Sequence, residues 1–133
     1  MAGLTELRVL LLESNSISDL SPLEELTQLT VLNIQTNSIS DTSALAGLTQ
    51  LSSLSLAFNS ISDLTSLTGL TQLTTLFLND NSISDITPLV ANGGLGVGDT
   101  IELGNNALGV DDCPNLLTLT GRGASVGHEV PCA

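Results

Sequence analysis

Four aspartates recur at one spacing: Asp19, Asp41, Asp63 and Asp85, each 22 residues from the next. Carboxylates stacked at a fixed interval could chelate calcium, which takes several oxygen ligands at once. A simpler chemistry also fits. An aspartate just ahead of a short turn caps it by accepting backbone N–H bonds, here before Leu20-Ser21, Ser43-Ala44, Leu64-Thr65 and Ile86-Thr87. Capping explains the whole row without an ion, so no metal is assigned to it. Asp80, between Asn79 and Asn81, is a separate and weaker cation candidate.

Thiol and imidazole chemistry is confined to the end of the chain. Cys113 and Cys132 are the two cysteines and His128 the one histidine. With Asp112 they supply the ligand types of a zinc site but lack its compact paired spacing. A disulfide between the cysteines would close a loop of about 20 residues, add roughly 3 kcal/mol and suit an oxidising compartment. Two free thiols in a reducing cytosol are the alternative; the bridge is the expectation. One histidine, two cysteines and no Gly-rich phosphate loop make no nucleophile–base pair. Neither an enzyme nor a cofactor is expected.

These residues are positioned by a repeat. Asn-Ser-Ile-Ser-Asp occurs at 15–19, 37–41, 59–63 and 81–85. Around it the first unit reads Leu7-x-x-Leu10-x-Leu12-x-x-Asn15-x-Ile17, then Leu20, Leu23 and Leu26. Units starting at Leu29, Leu51 and Leu73 keep the pattern, and the fourth departs at Asn92-Gly93-Gly94. A weaker fifth copy, Ile101-x-Leu103-x-x-Asn106-x-Leu108, is shifted by three inserted residues. A strict short period means stacked supersecondary units. The alternating pair Leu10/Leu12, with Leu32/Ile34, Leu54/Leu56 and Leu76/Leu78, reads as one short half-buried strand per unit. No single unit can fold alone; each must bury its apolar side against its neighbours.

Over residues 2–108 this pattern resembles the leucine-rich repeat. The 22-residue period, with Asp19-Leu20-Ser21-Pro22-Leu23 and Leu26-Thr27-Gln28-Leu29, resembles the bacterial internalin-like subclass. The resemblance implies an α/β fold: a right-handed leucine-rich repeat solenoid with a short-stranded parallel sheet on the concave face. The convex face would carry 3-10 or irregular turns. About five coils are expected over 1–108, the first incomplete and uncapped, and a C-terminal cap of the same domain over 109–133. Asn15, Asn37, Asn59, Asn81 and Asn106 should form an inward ladder, because an amide can satisfy backbone groups where each strand bends.

The two ends differ. Ala2-Gly3-Leu4-Thr5-Glu6 matches Ala46-Gly47-Leu48-Thr49-Gln50, the tail of a repeat, so the chain starts inside a coil. An excised fragment is the expectation, and a partner covering the first coil's apolar edge the alternative. The first residues lack the pattern of a signal peptide, and no apolar run is long enough to span a bilayer. At the other end, Pro114 opens a short helix through Leu116, Leu117 and Leu119, with Gly121 and Gly123 to stop it. Ala124-Ser125-Val126 alternates like a final edge strand, and the whole resembles the C-terminal cap of bacterial leucine-rich repeat domains.

Fourteen acidic residues against two basic ones leave a net charge of −12. Phosphate backbones are repelled by such a surface, which excludes nucleic acid, and anionic membranes are disfavoured. A salt-rich setting or a basic partner suits it. The resemblance places binding on the sheet face, where Leu11, Glu13, Asn33, Gln35, Ser55, Phe58, Phe77, Asn79 and Asp80 take outward positions and vary between copies. Phe58 and Phe77, the only aromatics, fall there on adjacent coils and suggest an anchor for a protein partner. The alternative is that the rings shield the strands.

The expected function is therefore a non-enzymatic protein-binding module, extracellular or at the cell surface. A second class is structural: a two-fold homodimer through the open N-terminal edge. A third is ice or crystal-surface binding by the hydroxyl rows Ser16/Ser18, Ser38/Ser40, Ser60/Ser62 and Ser82/Ser84. Against it, serine lacks the stiff methyl that threonine would add. Absence of thermal hysteresis at high protein concentration would dismiss that third class.

Overall fold

A computed structural model describes residues 4–132; the repeat-tail match at positions 2 and 3 lies outside them. Each coil contributes one three-residue strand: β1 (Val9–Leu11), β2 (Val31–Asn33), β3 (Ser53–Ser55), β4 (Thr75–Phe77) and β5 (Thr100–Glu102). A sixth, β6 (Ser125–Gly127), follows from the C-terminal segment. All pair in parallel, in the order β1-β2-β3-β4-β5-β6, as an open sheet. Register is strict: Leu10, Leu32, Leu54, Leu76, Ile101 and Val126 form one inward row. Behind the sheet, leucines and isoleucines at repeat positions fill one continuous column, most of them with no solvent exposure.

Opposite the sheet, three-residue 3-10 helices at Ser21–Leu23, Ser43–Leu45 and Thr65–Leu67 return the chain. The fourth return is a true α-helix, α1 (Thr87–Ala91), with Pro88 in its first turn. After β5 a 3-10 turn at Val110–Asp112 leads into α2 (Cys113–Gly121). This helix lays Leu116 and Leu119 on the core beside Leu95 and Ala124. Gly123 takes φ +101 just past its end, as the chain swings into β6. Cys113 and Cys132 are joined in a disulfide with their Cα atoms 5.5 Å apart, tying the start of α2 to the chain beyond β6.

The inserted residues of the fourth coil have a specific use. Asn92 stands where Leu26, Leu48 and Leu70 stand in earlier coils, and its side chain is fully buried. A buried amide needs partners. Its Nδ2 donates to the carbonyls of Leu67 and Leu70 at 2.9 and 3.1 Å, and its Oδ1 accepts the Gly94 N–H at 2.9 Å. Gly94 then passes so near the Thr71 carbonyl that any Cβ would overlap it. Arg122, the residue after α2, reaches the same place, its Nη2 donating to the Val90 carbonyl at 2.8 Å at the end of α1.

Candidate binding face

Each coil leaves its strand through the same bend. Ser14, Thr36, Phe58, Asp80 and Asn105 all have φ between 55 and 61°, the left-handed region. The kink turns the next residue, the ladder asparagine, into the column. The Nδ2 of Asn37 donates to Leu12, Ile34 and Gln35 carbonyls at 3.0, 3.0 and 3.2 Å, and its Oδ1 accepts the Ile17 N–H at 2.9 Å. Asn59, Asn81 and Asn106 repeat this pattern, each clasping the coil before it. Asn15 bonds the Leu12 and Glu13 carbonyls of its own coil and is exposed.

On the convex side Asp19, Asp41, Asp63 and Asp85 each accept, at 2.9 Å, the N–H two residues on, from Ser21, Ser43, Thr65 and Thr87. Each carboxylate therefore closes its own turn, one residue earlier than a helix N-cap would. Their carboxyls are held below the ordinary 3.8 by these bonds: chiefly the backbone N–H for Asp19 and Asp41, and chiefly the threonine hydroxyl for Asp63 and Asp85. A carboxyl lowered on folding stabilises fully above its unfolded value and loses that contribution as pH falls through its folded one. The melting temperature should accordingly hold down to about pH 4 and then fall. Substituting all four with asparagine, which keeps the turn bond without titrating, should flatten that acid limb in a calorimetric series.

The concave rows follow from the sheet register. Leu11, Asn33, Ser55, Phe77 and Glu102 align across β1 to β5. Leu11 is 59% exposed and Phe58, at the bend beyond β3, 53% exposed. Asn33, Gln35, Phe77, Asn79 and Asp80 are half-buried, and Glu13 is exposed. The structure corrects one expectation: Ser55, assigned to the contact surface, is only 7% exposed. It lies between Asn33 and Phe77, and its Oγ donates to Gln35 Oε1 at 3.1 Å, so a larger neighbour covers it. Ala57, also on an outward position, is buried too, at 3% exposure. Coil three thus forms the shallow floor of the face, with Phe58 at its rim. The serine rows of the pentapeptide lie apart from this face, exposed on the flank.

Among the described residues no group of three or more histidine, cysteine, aspartate or glutamate side chains is arranged to hold a metal. Instead, Asp80 is engaged by neutral donors, its Oδ2 accepting from Asn79 at 2.8 Å and its Oδ1 from Asn105 at 3.0 Å.

A family model for leucine-rich repeats matches residues 5–47 and 49–91, more than half of the chain. The chain belongs to the leucine-rich repeat family. Among solved structures, this leucine-rich repeat protein is similar to internalin C2 of Listeria monocytogenes, with 39% identity and a TM-score of 0.83 over 95% of the chain. It is similar also to the internalin inlF of that species, at 33% identity and TM-score 0.76 over 96% of the chain. A leucine-rich repeat protein of Leptospira interrogans shares 25% identity at TM-score 0.73 over 96%. The chain spans about half the length of internalin C2 (53%), 43% of the second internalin and 33% of the Leptospira protein. None of the curated proteins matches it significantly. It is thus a bacterial, internalin-like leucine-rich repeat protein, of a fold that commonly mediates protein–protein contact.

Proposed function

We propose that this chain is a non-enzymatic binding module whose concave face holds a protein partner, with Phe58 as its anchor. One observation carries this. Phe58 adopts φ 56° at a bend where the other coils place Ser14, Thr36, Asp80 and Asn105. A bulky residue in the left-handed region is an outlier, and the ring is half exposed rather than fixed in the core. The ladder bonds and the Phe58 N–H, which donates to the Asn79 carbonyl, hold this bend as their counterparts do in the other coils. The bend therefore does not need a ring, and the exposed part of the ring is left for a partner to cover. The disulfide supports an oxidising setting, and we place the module outside the cell or on its surface.

Phe58→Asn tests the proposal, because asparagine suits the left-handed bend. Its melting temperature should equal or exceed the parent's, while quantitative capture of protein from the native extracellular environment should drop. A fall in stability instead would make the ring framework, and unchanged capture would remove it from the site. Phe77→Ala is expected to weaken capture as well, but with some loss of stability, because that ring is half-buried beside Ser55.

A further inference from the structure

The outward surface of the sheet changes character from one end to the other. Its first strand presents Val9 and Leu11 to solvent, and its last coils present Asp80, Glu102 and Glu129. Those carboxylates are held in place. Glu129 Oε1 accepts the Asn105 N–H at 2.6 Å, and Asp80 Oδ1 accepts the Asn105 side-chain amide at 3.0 Å, so one residue fastens both. Glu102 lies over Gly127, in the space that any larger residue's Cβ would fill. All these donors are neutral, so they orient the carboxylates without cancelling their charge. Both cations of the chain are elsewhere: Arg122 is engaged with the Val90 and Asn92 carbonyls, and Arg8 adjoins β1 at the opposite end of the sheet.

We infer that the concave face takes a basic polypeptide segment, with cationic side chains on Asp80, Glu102 and Glu129 and an adjoining apolar side chain on Phe58 and Phe77. This inference rests on the concave face being the binding surface, and adds the chemistry of what binds. A neutral or acidic segment would desolvate three carboxylates without pairing them, which opposes binding. A basic one pairs them by charge-assisted hydrogen bonds, and the overall −12 charge steers it in. From β3, whose following bend carries Phe58, to β6 is three strand spacings, about 14 Å, which roughly four to five residues of extended chain span. One short segment therefore reaches both the rings and the carboxylates.

The test uses three fluorescent peptides of equal length, alternating lysine with leucine, lysine with serine, and glutamate with leucine, titrated by anisotropy against the full chain. The lysine–leucine peptide should bind best. Glu102→Gln combined with Glu129→Gln should weaken it about tenfold, whereas the convex pair Asp41→Asn and Asp63→Asn should change it less than about twofold. Phe58→Asn should weaken the lysine–leucine peptide more than the lysine–serine one. Equal weakening by the convex pair, or equal binding of the glutamate–leucine peptide, overturns the inference. If Phe58→Asn weakens both leucine peptides while the glutamate pair weakens neither, the face binds and only its charge preference falls. If neither the rings nor the carboxylates matter to any peptide, the concave site itself falls. Unchanged melting temperatures for the glutamine variants would exclude a folding defect as the cause.

Discussion

Replacing Asn59 with alanine is expected to lower unfolding free energy by roughly 3 kcal/mol, from an unpaired buried N–H together with a cavity. The three carbonyls that its amide serves each keep another donor: Asn37 on Ile34, Asn81 on Leu56, and the Thr36 N–H on Ala57. The Ile39 N–H loses the Asn59 Oδ1 acceptor at 3.0 Å, and its residue is fully buried. That donor dominates the cost. Asn15→Ala is the control. Its side chain is exposed and bonds its own coil, so its loss should be well under about 1 kcal/mol. Urea denaturation of the two variants decides the matter, and similar losses would mean that the ladder does not act through the buried N–H.

Gly94→Ala should cost about 1–3 kcal/mol, the range for forcing an extra group into a packed site. The obstacle is the backbone carbonyl of Thr71, which cannot swing aside like a side-chain tip. Either the turn at Thr71 or the exit from α1 must move, and Asn92, bonded to both Leu70 and Gly94, would lose part of its bonding. Gly93→Ala, one residue earlier, meets nothing within 4 Å and should be neutral or slightly stabilising. Thermal melts of the pair should separate by several degrees. Equal melting temperatures would show that the fourth coil yields freely at this point.

The architecture was legible because the 22-residue period fixes which side chains face in, and register in a sheet with a buried face does not slip. Leu10 and its counterparts, the ladder asparagines and the turn aspartates all follow from that one frame. The period assigns a residue to a face but not the height of its neighbours. Ser55 therefore read as contact surface, although Gln35 reaches over it. Asn92 carried a signal that went unused: an amide at a position of leucine, just where the spacing grows. The strain at Phe58 was written more faintly, in the Ser, Thr, Asp and Asn that occupy its place elsewhere, several of them residues that tolerate left-handed backbone. Arg122 left no trace at all, because its reach to the end of α1 depends on how α2 packs against α1.

The coils are fastened unequally around their circumference. Along the sheet and its flank, backbone bonds join each coil to the next, as from Leu12 to Asn33 and from Ser38 to Ile17, both 2.8 Å. Along the convex returns the backbone bonds stay within a coil, as from the Leu23 N–H to the Leu20 carbonyl and from the Leu45 N–H to the Thr42 carbonyl, both 2.9 Å. The convex side is held between coils by leucine packing and by a few side-chain bonds, Thr42 to Ser66 at 2.8 Å and Asn92 to the Leu67 and Leu70 carbonyls, so it is the more compliant side of the stack. Bending changes the convex spacing and leaves the sheet side at constant length. A change of curvature would therefore be resisted chiefly by the convex contacts, the leucine packing and the Thr42–Ser66 and Asn92 bonds, rather than by the strand pairs.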